Sequence, residues 1–269
     1  KIIFTDLDET LLKKNKYYYK TLHNFINKLL RYEFLIIILT SKTYLEVINI
    51  IKKIKLKIPF SVENGGAFYI PVKDTKDYKY KRILNPRAVN KKVLKKILNE
   101  NMVKKYSHNI EFIEHLSSSK QIYITKLNYN QLENFNSREY TIPIMWYGSK
   151  KVKKQFEQDL FKYNLKITFG GKLINISGLH SKLDAMNFFI SQYKNKLRTK
   201  KLITISLGDS QNDIEILNNS NYSGIIKNNF FKISNLNKKN NIFRSFTNAP
   251  HGWVEVIKKI LIKMERDNN

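Results

Sequence analysis

The sequence predicts an α/β fold, a doubly wound parallel core interrupted by an inserted α+β unit. Three observations predict it. Short apolar runs alternate with amphipathic helical segments up to residue 71, the pattern changes from 72 to 178, and the alternation then returns. Residues 1–71 and 179–269 are therefore read as the core, and 72–178 as the insertion.

The core opens with a buried strand over 1–5, followed by a helix with Leu22, Phe25, Ile26, Leu29 and Leu30 on one face. The unbroken apolar run Phe34–Leu39 predicts a fully buried parallel strand. Thr43 and Glu46 are spaced as a capping box that starts the next helix. Phe60-Ser61-Val62 reads as a strand, and Glu63-Asn64-Gly65-Gly66 turns the chain into Ala67–Ile70. In the insertion, strands are expected at Gln121–Leu127, Tyr140–Trp146, Leu165–Phe169 and Leu173–Ile176. Helices are expected near Asn90–Asn99 and Lys151–Tyr163. The core resumes with a helix over Ser181–Gln192, a strand over 202–207, a short helix after Asn212 and a strand over Tyr222–Ile226. A last helix starts near Gly252, and Ser234–Asn241 reads as a surface loop.

At 269 residues, 42% hydrophobic, the chain has ample core and is not a disordered polyelectrolyte. It has no cysteine, which excludes disulfides and thiolate metal sites and suits a reducing, cytoplasmic location. No signal peptide is read, and Phe34–Leu39 is too short to span a membrane, so no membrane partner is expected. The net charge of +27 invites a nucleic-acid reading. Lys, Asn and Ile, all with AT-rich codons, make up 108 of the 269 residues, and the basic residues are scattered. Base composition accounts for the charge, and no specific nucleic-acid partner is expected. Nothing in the sequence bears on oligomeric state.

The chemistry concentrates at two strand ends. Asp6 and Asp8 follow Ile2-Ile3-Phe4, and Asp209 and Asp213 follow Leu202–Leu207. Ligands of open α/β sheets bind at the carboxyl ends of strands. Carboxylates crowded there repel unless a cation or proton sits between them. An all-oxygen ligand set points to Mg²⁺.

These motifs resemble the haloacid dehalogenase (HAD) superfamily, mostly phosphatases and phosphotransferases. Its four motifs occur in order, as Asp6/Asp8/Thr10, Thr40, Lys182 and Asp209/Asp213. The resemblance implies a Rossmann-like core with an inserted α+β cap. It makes Asp6 the nucleophile, giving an aspartyl-phosphate, and Asp8 the general acid and then base. Thr40 and Lys182 would bind phosphate, with Ser41 as an added donor. Mg²⁺ would be held by Asp6, the Asp8 main-chain carbonyl and Asp209, with Asp213 holding metal-bound water or Lys182.

The chain is most similar to one capped branch, the mannosyl-3-phosphoglycerate phosphatases. Thr40-Ser41-Lys42-Thr43, Glu63-Asn64-Gly65-Gly66-Ala67, Leu207–Asp213 and Gly252-Trp253 carry that similarity through the core. In the cap only Gly170-Gly171-Lys172 does so. It implies a small phosphorylated metabolite as partner, with Ser41, Lys42, Glu63, Asn64, Gly65, Gly66, Gly170, Gly171 and Lys172 as substrate-binding residues. Glucosyl-3-phosphoglycerate, sucrose 6-phosphate, other sugar phosphates and a phosphosugar mutase activity stay open beside mannosyl-3-phosphoglycerate. A non-enzymatic nucleic-acid binder on a dead phosphatase fold is the rival of a different class, opposed by the intact set of site residues. The departures are Glu9 and Leu183 where glycine is usual, and His251 in place of a glutamate.

Overall fold

The computed structural model describes residues 1–13, 20–72, 77–170, 173–197, 202–233, 236–237 and 240–268. The first part of the core runs β1 (Ile2–Thr5), α1 (Lys20–Arg31), β2 (Leu35–Leu39), α2 (Tyr44–Ile54), β3 (Phe60–Val62), β4 (Ala67–Pro71) and β5 (Tyr80–Leu84). Next come α3 (Lys91–Asn101), α4 (Val103–Tyr106), β6 (Ile110–Phe112), α5 (Ser118–Thr125), α6 (Tyr129–Asn136), β7 (Thr141–Trp146), α7 (Lys150–Phe161), β8 (Leu165–Gly170) and β9 (Leu173–Gly178). The chain then returns through α8 (Lys182–Leu197), β10 (Thr204–Gly208), α9 (Ile214–Asn218), β11 (Tyr222–Lys227), β12 (Ile242–Asn248) and α10 (His251–Asn268).

Among the described residues, eight strands form the core sheet in the order β12-β11-β10-β1-β2-β3-β4-β5, parallel from β12 to β3 and antiparallel beyond. β1 lies between β10 and β2, so the connection after β1 runs to one side and that after β10 to the other, the switch point at which open α/β sheets bind ligands. Ile3, Ile36, Ile38 and Ile205 pack one face of this sheet under α1, α2 and α10; Ile2, Phe4, Ile37 and Leu39 pack the other under α8. Trp253 is fully buried, and its indole N–H donates to Thr5 Oγ1 at 3.1 Å. The adjacent Gly252 leaves room for the Thr247 carbonyl, which a Cβ would approach to 2.2 Å. Gly252-Trp253 therefore anchors α10 beneath the strand that carries the site.

The second sheet is antiparallel, in the order β6-β7-β9-β8. Ile142, Ile144, Leu165, Ile174 and Ile176 turn one face to Leu94, Leu98, Phe156 and Leu160 of α3 and α7. The opposite face is polar over part of its area, while Leu173 and Met145 on it pack against Ile122, Leu132 and Phe135 of α5 and α6. Lys166 pairs with Ser177 and Ser177 with Thr141; Thr168 pairs with Asn175.

Two local features differ from expectation. Gln121–Leu127, read as a strand, is the helix α5, started by the Ser117 side chain accepting from Lys120 N and stopped by Lys126 in the left-handed region. Its isoleucines have strand-like spacing, but Ile122 and Ile124 pack as helix residues against the cluster of Ile113, Leu132 and Phe135. Tyr80–Leu84, inside the segment read as insertion, pairs with β4 as the edge of the core sheet. In the stretch Ser234–Asn241, residues 234, 235, 238 and 239 lie outside the described residues. No helix among the described residues is long and apolar enough to cross a membrane.

Candidate active site

Asp6 leaves β1 directly after Thr5, and Asp209 leaves β10 directly after Gly208. Because Thr5 is in parallel register with Leu207, the two carboxylates emerge side by side. Asp213 folds back into the same place. Its Oδ2 accepts from the main-chain N–H groups of Asp209 (3.1 Å) and Ser210 (3.2 Å). Gly208 makes this possible, since a Cβ there would lie 2.3 Å from Asp213 Cβ. Lys182, at the start of α8, is 1% exposed. Its Nζ donates to Asp6 Oδ1 at 2.5 Å and to Asp213 Oδ1 at 2.7 Å.

Asp6, Asp209 and Asp213 each present an oxygen within 4.8 Å of the others, and all three are buried. Burial pushes Asp6 up to about 7 against the pull of Lys182, with Asp213 and Asp8 adding to the rise. Burial, reinforced by Asp6 and Asp213, likewise lifts Asp209 well above its ordinary value. Burial also works against the Lys182 ammonium, but Asp213 and Asp6 outweigh it and hold Lys182 charged. One lysine thus faces three buried acids. The remaining negative charge, on hard oxygen donors, matches a divalent cation, so the donor set fits a metal such as Mg²⁺.

Asp8 stands apart from that triad. Its Oδ2 is 2.8 Å from Lys42 Nζ, while Oδ1 is buried without a hydrogen-bond partner among the described residues. Lys42 also contacts Glu46 Oε1 at 3.3 Å. The capping box at the start of α2 fixes Glu46, whose Oε2 accepts from Thr43 N. Burial opposes the Glu46 charge, but Lys42 and Arg138 outweigh it and keep its pKa below the ordinary value. Thr40 Oγ1 accepts from Lys42 N at 3.2 Å, and the Ser41 carbonyl accepts from Arg138 Nη1 at 3.2 Å.

Asn64 lies beside this loop. Its N–H donates to the Thr40 carbonyl, its Oδ1 accepts from Asn212, and its Nδ2 is buried without a partner among the described residues. Glu63, expected among the substrate-binding residues, points inward. It is 1% exposed and accepts from Glu139 N (2.8 Å), Tyr140 N (3.0 Å) and Thr141 Oγ1 (2.6 Å). Gly65 and Gly66 make room for protein rather than a ligand. A Cβ on Gly65 (φ +100°) would lie 2.1 Å from the Ser181 carbonyl, and one on Gly66 would lie 2.6 Å from the Tyr140 ring. Gly170 closes β8, while Gly171 and Lys172 lie outside the described residues. Glu9 adopts φ 56°, the left-handed conformation that suits the glycine usual at this position.

His180 is fully buried, and its Nε2–H donates to the Glu63 carbonyl at 3.0 Å. Burial pushes its pKa from 6.5 down to about 4. The unfolded chain therefore takes up this proton first, and stability falls as pH drops through that window, by roughly 3 kcal/mol in all. Chemical denaturation between pH 7 and 4 should show that slope in the wild type and a shallower one in His180→Asn. Identical slopes would remove His180 as its source.

Several residues of the site carried no motif. Arg138 reaches the loop after β2 from the segment before β7, and Thr43 Oγ1 donates to the Asn134 carbonyl at 2.7 Å. Asn228, after β11, donates to Asp209 Oδ2 at 2.5 Å, while Thr10 donates to Oδ1 at 2.6 Å. Period-two alternation in β8 and β9 held the signal for Lys166, Thr168, Asn175 and Ser177. Nothing in the sequence pointed to Arg138 or Asn228.

The family described as haloacid dehalogenase-like hydrolase matches residues 3–252. A glucosyl-3-phosphoglycerate/mannosyl-3-phosphoglycerate phosphatase of Persephonella marina is 27% identical over 277 aligned positions, covering 98% of each chain. Its namesake from Methanococcoides burtonii is 28% identical over 224 positions, covering 80% of each. The sucrose-phosphatase of Synechocystis, solved with sucrose and phosphate, shares the fold. Its TM-score is 0.60 at 15% identity, covering 96% of this chain and 97% of that one.

Proposed function

Since the chain belongs to the haloacid dehalogenase-like hydrolases, we propose that it is a cytoplasmic, Mg²⁺-dependent phosphatase of a phosphorylated sugar-type metabolite, mannosyl- or glucosyl-3-phosphoglycerate first. The observation that carries this reading is Asp6, a buried carboxylate at the end of the central strand, with Lys182 and Asp209 beside it. The substrate class rests on the two relatives that are named for those esters.

In the first step an Asp6 oxygen attacks phosphorus, and the bond from phosphorus to the ester oxygen breaks. The leaving oxygen takes a proton from Asp8, whose Oδ1 has no protein partner among the described residues. Lys182 occupies Asp6 Oδ1, which leaves Oδ2 for the attack. In the second step Asp8 accepts a proton from water, whose oxygen attacks the aspartyl-phosphate, and the Asp6 carboxylate departs. The Thr40 hydroxyl, the Asn64 amide and Lys182 supply donors for the phosphoryl oxygens. Mg²⁺, held by Asp6, the Asp8 carbonyl and Asp209 with Asp213 behind them, would neutralise charge on the nucleophile and phosphoryl group.

We assign the leaving portion to the polar face of the second sheet. That face is turned to the core, since Thr141 donates to Glu63 and Lys166 feels the charges of Glu215 and Asp184. Thr168 Oγ1 is buried without a partner among the described residues, and Asn175 beside it is 4% exposed. A polyhydroxylated group is the chemistry that such a face recognises.

Phosphate release from a panel of mannosyl-3-phosphoglycerate, glucosyl-3-phosphoglycerate, sucrose 6-phosphate and hexose phosphates tests the substrate. Equal kcat/KM across the panel would reject the glycosyl-phosphoglycerate assignment. Asn175→Ala should raise KM for the preferred sugar ester about tenfold, the loss of one well-placed hydrogen bond, and leave p-nitrophenyl phosphate hydrolysis unchanged. Activity should vanish in chelator, return with Mg²⁺ and fail to return with Ca²⁺, whose longer bonds and extra ligands misplace the nucleophile. Full turnover of metal-stripped protein in chelator would contradict the metal assignment.

A further inference from the structure

Asn228 lies on none of the motifs, yet it touches the metal-binding triad. It follows β11, which pairs with β10 in register (Gly208 opposite Ile225), so the chain end after β11 is brought to the residue after Gly208. Its Nδ2 donates to Asp209 Oδ2 at 2.5 Å, and Thr10 Oγ1 holds Oδ1 at 2.6 Å. Both oxygens of Asp209 are thereby gripped from opposite parts of the chain. The amide orientation follows from its other end, since Asn228 Oδ1 accepts from Phe230 N at 2.8 Å. An amide whose oxygen is committed to a backbone N–H must present its NH₂ to the carboxylate.

The loop behind it is also tied down. Asn248 Nδ2 donates to the Lys227 carbonyl at 3.2 Å and to Asn229 Oδ1 at 3.3 Å, and Lys227 N donates to Ser245 Oγ at 2.8 Å. Without a second donor, Asp209 could rotate about its side-chain torsion, because Thr10 fixes only one oxygen.

We propose that Asn228 is a positioning residue for the divalent cation, setting the rotamer of Asp209 so that its ligand oxygen faces Asp6 and Asp213. It does not itself touch the ion or substrate. Partners that orient a metal ligand in this way are worth on the order of 10–100-fold in metal affinity. The inference rests on the metal reading above.

The test is direct binding of Mn²⁺, a paramagnetic stand-in for Mg²⁺, to the full chain without substrate. The fraction of free ion is read by electron paramagnetic resonance for wild type, Asn228→Ala and Asn229→Ala. Asn229 lies on the same loop and bonds to Asn248, so it controls for loop disturbance. Asn228→Ala should weaken Mn²⁺ about tenfold or more, with Asn229→Ala within twofold of wild type. The Mg²⁺ concentration for half-maximal turnover should rise in parallel, with kcat at saturating Mg²⁺ held within a few-fold. Equal Mn²⁺ affinity in wild type and Asn228→Ala would overturn the role of Asn228 and leave the metal site standing. Equal weakening by both variants would also overturn it, in favour of a general loop effect. Failure of the wild type to bind Mn²⁺ would overturn the metal reading itself, and this inference with it.

Discussion

Asp6→Asn should abolish phosphate release from every substrate while leaving the fold intact. The amide has the same shape but no electron pair able to displace an alkoxide from phosphorus, so the loss should be on the order of 10⁴-fold or more. The fold should not suffer. Asp6 shares its buried site with Asp209 and Asp213, and burial already pushes its pKa up to about 7. A carboxyl group whose folded pKa is raised destabilises the protein as pH climbs towards that value, and the neutral amide removes this cost. Lys182 keeps its bond to Asp213. A melting temperature in chelator equal to or above wild type, with no turnover, is the expected pair of results. Measurable turnover by a contaminant-free preparation would end the assignment of Asp6 as nucleophile.

Lys182→Met should be the most destabilising single change at the site. Methionine matches the length of the lysine stem, so the packing survives while the charge goes. Asp6 and Asp213 would then face each other in the interior without their shared cation. Removing one partner of a buried ion pair costs about 3–5 kcal/mol. The cost should be larger at pH 8 than at pH 6, because at the lower pH Asp6 relieves it by taking up a proton. Urea titrations in chelator at the two pH values measure it, and added Mg²⁺ should restore part of the loss. A change below about 1 kcal/mol at pH 8 would mean that the two carboxylates do not depend on this ammonium.

The catalytic end of the core was legible because it is built from continuous signals. Ile2-Ile3-Phe4 and Leu202–Leu207 announce buried strands, and the acids that follow each run share one edge by parallel register. Thr43 and Glu46 form the capping box that their spacing implied. What stayed hidden depended on tertiary contact. Ile122 and Ile124 are spaced as in a strand, and only Ser117, Lys126 and the packing around Phe135 make that segment helical. Asn128 and Gln131 form a capping box whose spacing marks the start of α6 in the sequence. β12 alternates half-buried and exposed side chains along an edge and lacks an apolar run. Glu63 lies in the turn that its motif implies, with its carboxylate directed into the protein. A turn motif fixes the backbone, whereas the three donors at residues 139–141 that claim the carboxylate come from a distant part of the chain.

The place of β1 between β2 and β10 also sets a timetable for biosynthesis. Ile2 is paired with Thr204, so β1 leaves the ribosome 202 residues ahead of its second neighbour. Until then β1 can pair only with β2. The segment carrying Leu94, Ile144, Phe156 and Ile176 emerges in the meantime with an apolar cluster of its own, and can condense from contacts nearer in sequence. Asp6 and Asp209 meet only when that segment is complete. A nascent chain stopped short of β10 would hold an unpaired sheet edge and no assembled acidic site.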